Sequence, residues 1–199
     1  MLMKKIIASL LLLVSCCAVL PAQKADVSRY LQGAVPVVDG YVQFDTTVVA
    51  SGRTRADIYQ SLIDFTEKSL VQGPEQLSKS RITEASAEDG LIVASIEEYL
   101  YFKRTNWVTH RVRFYYQLIM QAKDGGFTAQ VRRLHYKYDD ADANSDFKED
   151  RPAEKWITDD EALSRDGKKL TRIAGKFRRF TIDRVEQIFK QAAEAARAK

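Results

Sequence analysis

The sequence predicts an α+β domain: a curved antiparallel sheet of about five strands with two helices packed on one face. Three features point to it. Residues 41–50 and 108–122 alternate apolar and polar side chains with a period of two, the signature of strands with one buried face. Asp89-Gly90 and Asp124-Gly125-Gly126 are strong tight-turn signals between such runs. Apolar residues recur at intervals of three and four around residues 58–70 and again around 173–192, as on the buried stripe of a helix.

The chain has 199 residues, 45% hydrophobic and 29% charged, with 9 Gly and 4 Pro, which excludes collagen-like, low-complexity and wholly disordered chains. Its first 22 residues read as an export signal, because Lys4 and Lys5 lead into the apolar run Ile6–Val14. That run falls short of a membrane span, and no longer one follows. Two processing routes are open. Cleavage after Ala22 leaves Gln23 first, whereas Leu13-Val14-Ser15-Cys16 resembles a bacterial lipobox whose Cys16 carries lipid. Both cysteines, Cys16 and Cys17, lie in this region, so a chain starting at Gln23 has no disulfide, thiol nucleophile or Cys-rich zinc site. The expected compartment is the periplasm or cell envelope, with a membrane-anchored lipoprotein as the second route, and no cofactor is expected.

Residues 23–40 form an extended N-terminal segment, and a single domain covers 41–190. In the first strand Val42, Phe44, Thr46, Val48 and Ala50 face inward. Ser51-Gly52-Arg53 turns the chain, Thr54 and Asp57 fit a helix cap, and Gly73-Pro74 ends the helix that carries Ile58, Leu62 and Phe65. The strand near 77–87 is weakly patterned and expected to be partly exposed. The next places Ile92, Ala94, Ile96, Leu100 and Phe102 on one face, with Glu98 breaking the series. From Val108 the inward series is Val108, His110, Val112, Phe114, Tyr116, Leu118, Met120 and Ala122. The last strand starts with Phe127, Ala129 and Val131 inward and then shifts to Leu134, Tyr136 and Tyr138, so a β-bulge is predicted near Arg132-Arg133. Residues 139–155 read as a long acidic surface loop, a second helix starts near Leu170, and the alanine-rich tail 191–199 reads as frayed.

Several stretches resemble a known family: Val38-Asp39-Gly40-Tyr41-Val42, Ile58-Tyr59-Gln60-Ser61-Leu62, Glu154-Lys155-Trp156-Ile157-Thr158-Asp159-Asp160, Leu170-Thr171-Arg172 and Gly175-Lys176-Phe177-Arg178-Arg179. Over roughly 35–190 they are similar to a secreted domain-of-unknown-function family of Bacteroidetes described as having a TBP-like fold. The resemblance implies that fold and an exported location, and it brings no catalytic residues. The TBP label denotes sheet topology, so DNA binding would be analogy only.

Charge is blocked along the chain: 7 basic against 12 acidic groups in 23–102, 8 against 1 in 103–138, 3 against 10 in 139–164, and 11 against 4 in 165–199. Mutual neutralisation is the plain explanation. A basic patch for anionic lipid or polysaccharide is the functional one, and export leaves nucleic acid out.

Three function classes follow. The leading reading is a non-enzymatic binding module whose partner is an envelope protein, a lipid or a glycan. It uses the face opposite the core, where Tyr99, Tyr101 and Tyr115 interleave with Arg111 and Arg113, since rings among cations can stack on sugars or hold anionic headgroups. The plain alternative covers that face with the N-terminal segment or the terminal helix. The second class is a small-molecule or lipid binder with a cavity lined by Phe102, Phe114, Tyr116 and Phe177. The third is a hydrolase using Glu98 with His110, whose neighbour across the hairpin would be His135. Separately, Asp140, Asp142, Asn144 and Asp146 place oxygen ligands at alternate positions that could wrap calcium. An EF-hand fails twice there, with Ser145 and Arg151 at the sixth and twelfth places.

Overall fold

The computed structural model describes residues 26–138 and 150–198. Signal residues 1–22, Cys16 and the calcium candidates Asp140, Asp142, Asn144 and Asp146 lie outside the described residues. The strands are β1 (Val37–Val38), β2 (Tyr41–Val49), β3 (Arg81–Ser86), β4 (Leu91–Arg104), β5 (Thr109–Lys123), β6 (Gly126–Lys137) and β7 (Arg151–Pro152). The helices are α1 (Arg55–Phe65), α2 (Asp159–Ala162) and α3 (Ala174–Arg197). All pairings are antiparallel, in the order β1-β2-β6-β5-β4-β3, with β7 also on β6. The five expected strands are therefore present, joined by two of two residues each.

Alternation sets which face is buried. Val42, Phe44 and Val48 of β2, Ile92, Ala94 and Ile96 of β4, and Val112 through Ala122 at every second position of β5 point to one side. There they meet Ile58, Leu62 and Phe65 of α1 and Phe177, Ile182, Val185 and Ile188 of α3. The α1 cap forms as its sequence predicts, Thr54 Oγ1 accepting from the Asp57 amide at 3.2 Å. Thr66 donates its hydroxyl back to the Leu62 carbonyl at 2.8 Å, and the helix then widens into a π-turn over Thr66–Val71. The β3 strand is largely exposed, in line with its weak pattern.

The bulge falls where the phase change places it. Tyr115 opposes His135 but Gln117 opposes Arg132, and Arg133 absorbs the extra residue at φ +56°. Its consequence reaches the next strand: β2 pairs β6 up to Arg132, and β7 takes over at His135 and Tyr136.

Four expectations are corrected. The loop after β6 does not run to 155: β7 pairs β6, Ala153 is fully buried, and Glu154 Oε1 accepts from the Val42 amide at 2.8 Å. The tail is not frayed either. Helix α3 runs to Arg197, because Ala192, Ala193 and Ala196 are small enough to bury against the core and Arg197 Nε donates to the Val49 carbonyl at 3.0 Å. His110 is exposed rather than buried, near the start of β5, where among the described residues the strand pairs only with β4. It opposes Lys103 while His135 opposes Tyr115, so the two histidines are not neighbours.

Arg178 explains why the end of the chain packs as it does. Its side chain is completely buried and donates to the carbonyls of Tyr30 (2.6 Å), Leu31 (2.6 Å) and Ile157 (2.9 Å) and to Asp159 Oδ1 (2.7 Å). One guanidinium thus fastens the N-terminal segment and the α2 approach onto α3, with its charge met and its donors used. Arg29 pairs with Asp183 and Glu186, and the Tyr30 hydroxyl donates to Asp183 at 2.7 Å. The N-terminal segment therefore lies on the helix side of the sheet.

Candidate functional site

Because both long helices and the N-terminal segment occupy one side, no described element covers the other face of β4, β5 and β6. The register brings the five candidate residues together there: Tyr99 opposes Arg113 and Tyr101 opposes Arg111. Both arginines lean diagonally along β4 rather than straight across. The Arg111 guanidinium lies over the Tyr99 ring, 3.7 Å from its centroid, and Arg113 Nη1 reaches Glu97 Oε1 at 3.5 Å. One step further, Arg104 stacks on Tyr101 at 4.8 Å and bonds Glu75 Oε1 at 2.5 Å. At the other end the Tyr115 ring lies flat on His135, 4.4 Å between centroids and 6° between planes. The result is a ladder of cation–ring and ion-pair steps fixed before any partner arrives.

Glu97 anchors the ladder. The Ser80 hydroxyl clasps its backbone, donating to the carbonyl at 2.8 Å and accepting from the amide at 2.9 Å. Partial burial first, and the Glu97 carboxylate second, push the Tyr115 hydroxyl up to about 12, so it remains a donor at neutral pH. Bonds from Arg104 and then Tyr101 hold the Glu75 carboxyl below its usual range. Flat rings with guanidinium edges suit a sugar face or an anionic group.

Glu98, one residue away, points to the opposite side. It is 1% exposed and takes a two-pronged bond from Arg184, Nε to Oε1 and Nη2 to Oε2, both 2.7 Å, with Gln76 Nε2 donating at 2.8 Å. Burial lowers the Arg184 pKa, but the bonds and charge of Glu98 outweigh it and hold the guanidinium above its ordinary value. The Tyr116 hydroxyl sits beside this pair with no well-formed hydrogen bond among the described residues. Burial, then the Glu98 charge, push it well above the ordinary tyrosine value. The pair forms the floor of an open cleft of about 530 Å³ between the 73–76 loop, the edge of β4 and α3 residues Phe180, Arg184 and Gln187.

The remaining candidates separate. Glu98 opposes Phe114 whereas His110 opposes Lys103, so a Glu98–His110 acid/base pair does not assemble. Phe102 packs on Phe177 with centroids 4.6 Å apart and Phe114 on Tyr116 at 5.0 Å, and Tyr136 bridges the two pairs, so the rings proposed to line a ligand cavity contact one another. Among the described residues no group of three or more His, Cys, Asp or Glu could hold a metal ion, and no helix is long and apolar enough to cross a membrane. Sequence reasoning missed Gln76, Arg184 and Trp107. The signal for Arg184 was its place seven residues after Phe177 and four before Ile188, on the buried stripe of α3.

An open antiparallel sheet with helices on one face is the TBP-like architecture. A TBP-like protein from Parabacteroides distasonis shares this fold, with 18% identity and a TM-score of 0.63 over 81% of this chain and 96% of that one. The model of a domain of unknown function with TBP-like fold, DUF4468, matches residues 44–137. A DUF4468 family protein from Bacteroides ovatus is 31% identical, with a TM-score of 0.77 over 88% of this chain and 98% of its own. The chain belongs to the DUF4468 family. No curated protein sequence matches it.

Proposed function

We propose that this protein is an exported, non-enzymatic binding module of the cell envelope that holds its partner on the sheet face away from the helices. The observation that carries the reading is the ladder: Arg111 over Tyr99, Arg104 over Tyr101 and Arg113 at Glu97, on a face no described element covers. A purely solvated sheet needs no such row of rings, and pre-set cations and rings lower the entropy lost on binding an anionic or sugar surface. Export rests on Lys4, Lys5 and the apolar run that follows, with the leader removed after Ala22 or the chain lipidated on Cys16. The denatured mass of the protein from its own host distinguishes these two starts.

The test places a photo-crosslinking side chain at Tyr99 and, as control, at Tyr41, which is exposed at the sheet edge. In host envelopes the Tyr99 position should give a discrete adduct, protein, lipid or glycan by mass, that Arg111→Ala/Arg113→Ala abolishes. Equal labelling at Tyr41, or an adduct indifferent to the arginines, would refute it. The 530 Å³ cleft favours a second reading, a small-ligand binder, which requires a stoichiometric adduct in native mass spectrometry that Gln76→Ala removes.

A further inference from the structure

Strands β4 and β5 outrun the rest of the sheet. The last β5–β6 pair is Arg113 with Lys137 and β3 pairs β4 no further than Ser95, so among the described residues the two strands pair only with each other from Leu100 to Val112. The arm closes on itself at the tip. The Thr105 amide donates to the Val108 carbonyl at 3.0 Å and the Val108 amide to Thr105 Oγ1 at 3.1 Å, which leaves the turn with few polar needs of its own. On this self-contained turn stands Trp107, 93% exposed, next to Val108 at 38%. A large indole left in water at the end of a protruding hairpin is the least expected surface residue of the molecule.

Its surroundings are cationic. No acidic residue occurs between Lys103 and Lys123, and Lys103, Arg104, His110 and Arg111 lie at or near the turn. Lys176, from the first turn of α3, joins them, its ammonium 4.7 Å from the centre of the Phe102 ring. Burial first and the charge of Lys103 second lower the Lys176 pKa, as expected of two ammonium groups that share one region.

We propose that this hairpin tip is a contact for an anionic lipid surface, with Trp107 at headgroup depth and Lys103 and Lys176 against the phosphates. The proposal rests on the reading of the chain as a binding module and names its partner class. Two arguments favour lipid over protein. The apolar part is small and convex, one indole and one valine, well below what a stable protein interface buries, whereas a bilayer interface accepts a single protruding tryptophan. Cations on the same arm as an exposed aromatic match a phosphate-bearing surface in both layers, apolar below and negative above.

The experiment uses the full chain in the form its host produces. The sequence holds two tryptophans, so Trp156→Phe leaves Trp107 as the only reporter. Vesicles of phosphatidylcholine alone, or mixed with phosphatidylglycerol, carry bromine-labelled acyl chains. On the anionic vesicles Trp107 emission should shift to the blue and be quenched, the effect should fade with added salt, and Lys103→Gln/Lys176→Gln should weaken it roughly tenfold or more. A lipid anchor at Cys16 would hold the protein on both vesicle types without seating Trp107 at the bilayer interface, so the local readout stands in either processing route. Emission unchanged on anionic vesicles, or shifted equally on both kinds, overturns the proposal and turns the search to a protein or glycan partner for the tip. Trp107→Ser, at so exposed a position, should keep the far-ultraviolet dichroism of the parent. If it also keeps the Tyr99 crosslink, the ladder reading survives whatever the vesicles show.

Discussion

The buried Glu98–Arg184 pair makes the sharpest prediction about what holds this sheet to its long helix. Replace Glu98 by Met, which matches its length but accepts nothing. The Arg184 guanidinium then loses two 2.7 Å bonds, and Gln76 loses its 2.8 Å acceptor, at a site where the Arg184 side chain is only 18% exposed. Removing one partner of a buried pair costs about 3–5 kcal/mol because the other charge stays behind unmet. Arg184 keeps some water, so the lower end applies, about 3 kcal/mol, or about 6–12 °C in melting temperature for a domain of this size. Glu98→Met/Arg184→Met, which removes both charges, should return to within about 1 kcal/mol of the parent, since a buried pair traded for apolar side chains is close to neutral. The assay is urea unfolding of the parent, both single variants and the double, read from midpoints at unchanged slope. If the double variant is as unstable as the two singles added together, the pair is not coupled and the account of the α3–β4 contact is wrong.

Arg178→Ala should cost about 3–5 kcal/mol and expose the segment around Tyr30 and Leu31 to limited proteolysis, because this one side chain bonds both of its carbonyls and ties them to Ile157 and Asp159. An unchanged cleavage pattern would show that this segment is held by something else. Gly90→Ala should be clearly worse than Gly125→Ala in thermal unfolding: both sit at positive φ, +73° and +77°, but a methyl at Gly90 would lie 2.6 Å from the Ala122 carbonyl oxygen while at Gly125 it meets open space. Tyr115, Tyr116 and Tyr136 all have raised pKa values, burial being the first cause in each, and Tyr115 is pushed up to about 12. The folded state therefore holds these protons more tightly than the unfolded chain. Their contribution to stability is complete below pH 10, the unfolded value, and is lost as pH rises from there through the folded values. Melting temperature should fall above pH 10, with the last part of the tyrosinate absorbance appearing together with unfolding. Ionisation of all nine tyrosines in one step near pH 10 without loss of structure would contradict it.

The legible parts of the fold are those fixed by periodicity. Strand faces, the Asp89-Gly90 turn and the bulge at Arg133 follow from counting in twos, because a slip of one residue would turn every apolar side chain of β6 to water. Where periodicity carries no weight the reading failed for identifiable reasons. Ala192, Ala193 and Ala196 have too little apolar surface to register as a buried stripe, although smallness is what lets the end of α3 settle on the core. Nothing local announces the partners of Arg178 and Arg184, which lie 19 residues back at Asp159 and 86 back at Glu98. The candidate face was legible for the same reason as the strands: side chains at 99, 101, 111, 113 and 115 alternate away from the core. Trp107 was not, because a turn has no period to place it.

Charge blocking ties these points together. Arg178–Asp159 links the last basic block to the acidic stretch before it, and Arg184–Glu98 links it to the first acidic block. Arg104–Glu75 and Arg113–Glu97 join the basic stretch of β4 to β6 to that same first block. Mutual neutralisation therefore accounts for charges distributed along α3 and the base of the β4–β5 arm. It does not extend to Lys103 and Lys176, whose charges meet near Phe102 on the arm that carries the exposed Trp107. With Asp159, Glu98, Glu75 and Glu97 each met by an arginine, Lys103 and Lys176 are the pair of cations on this arm that an anionic surface approaching it would meet.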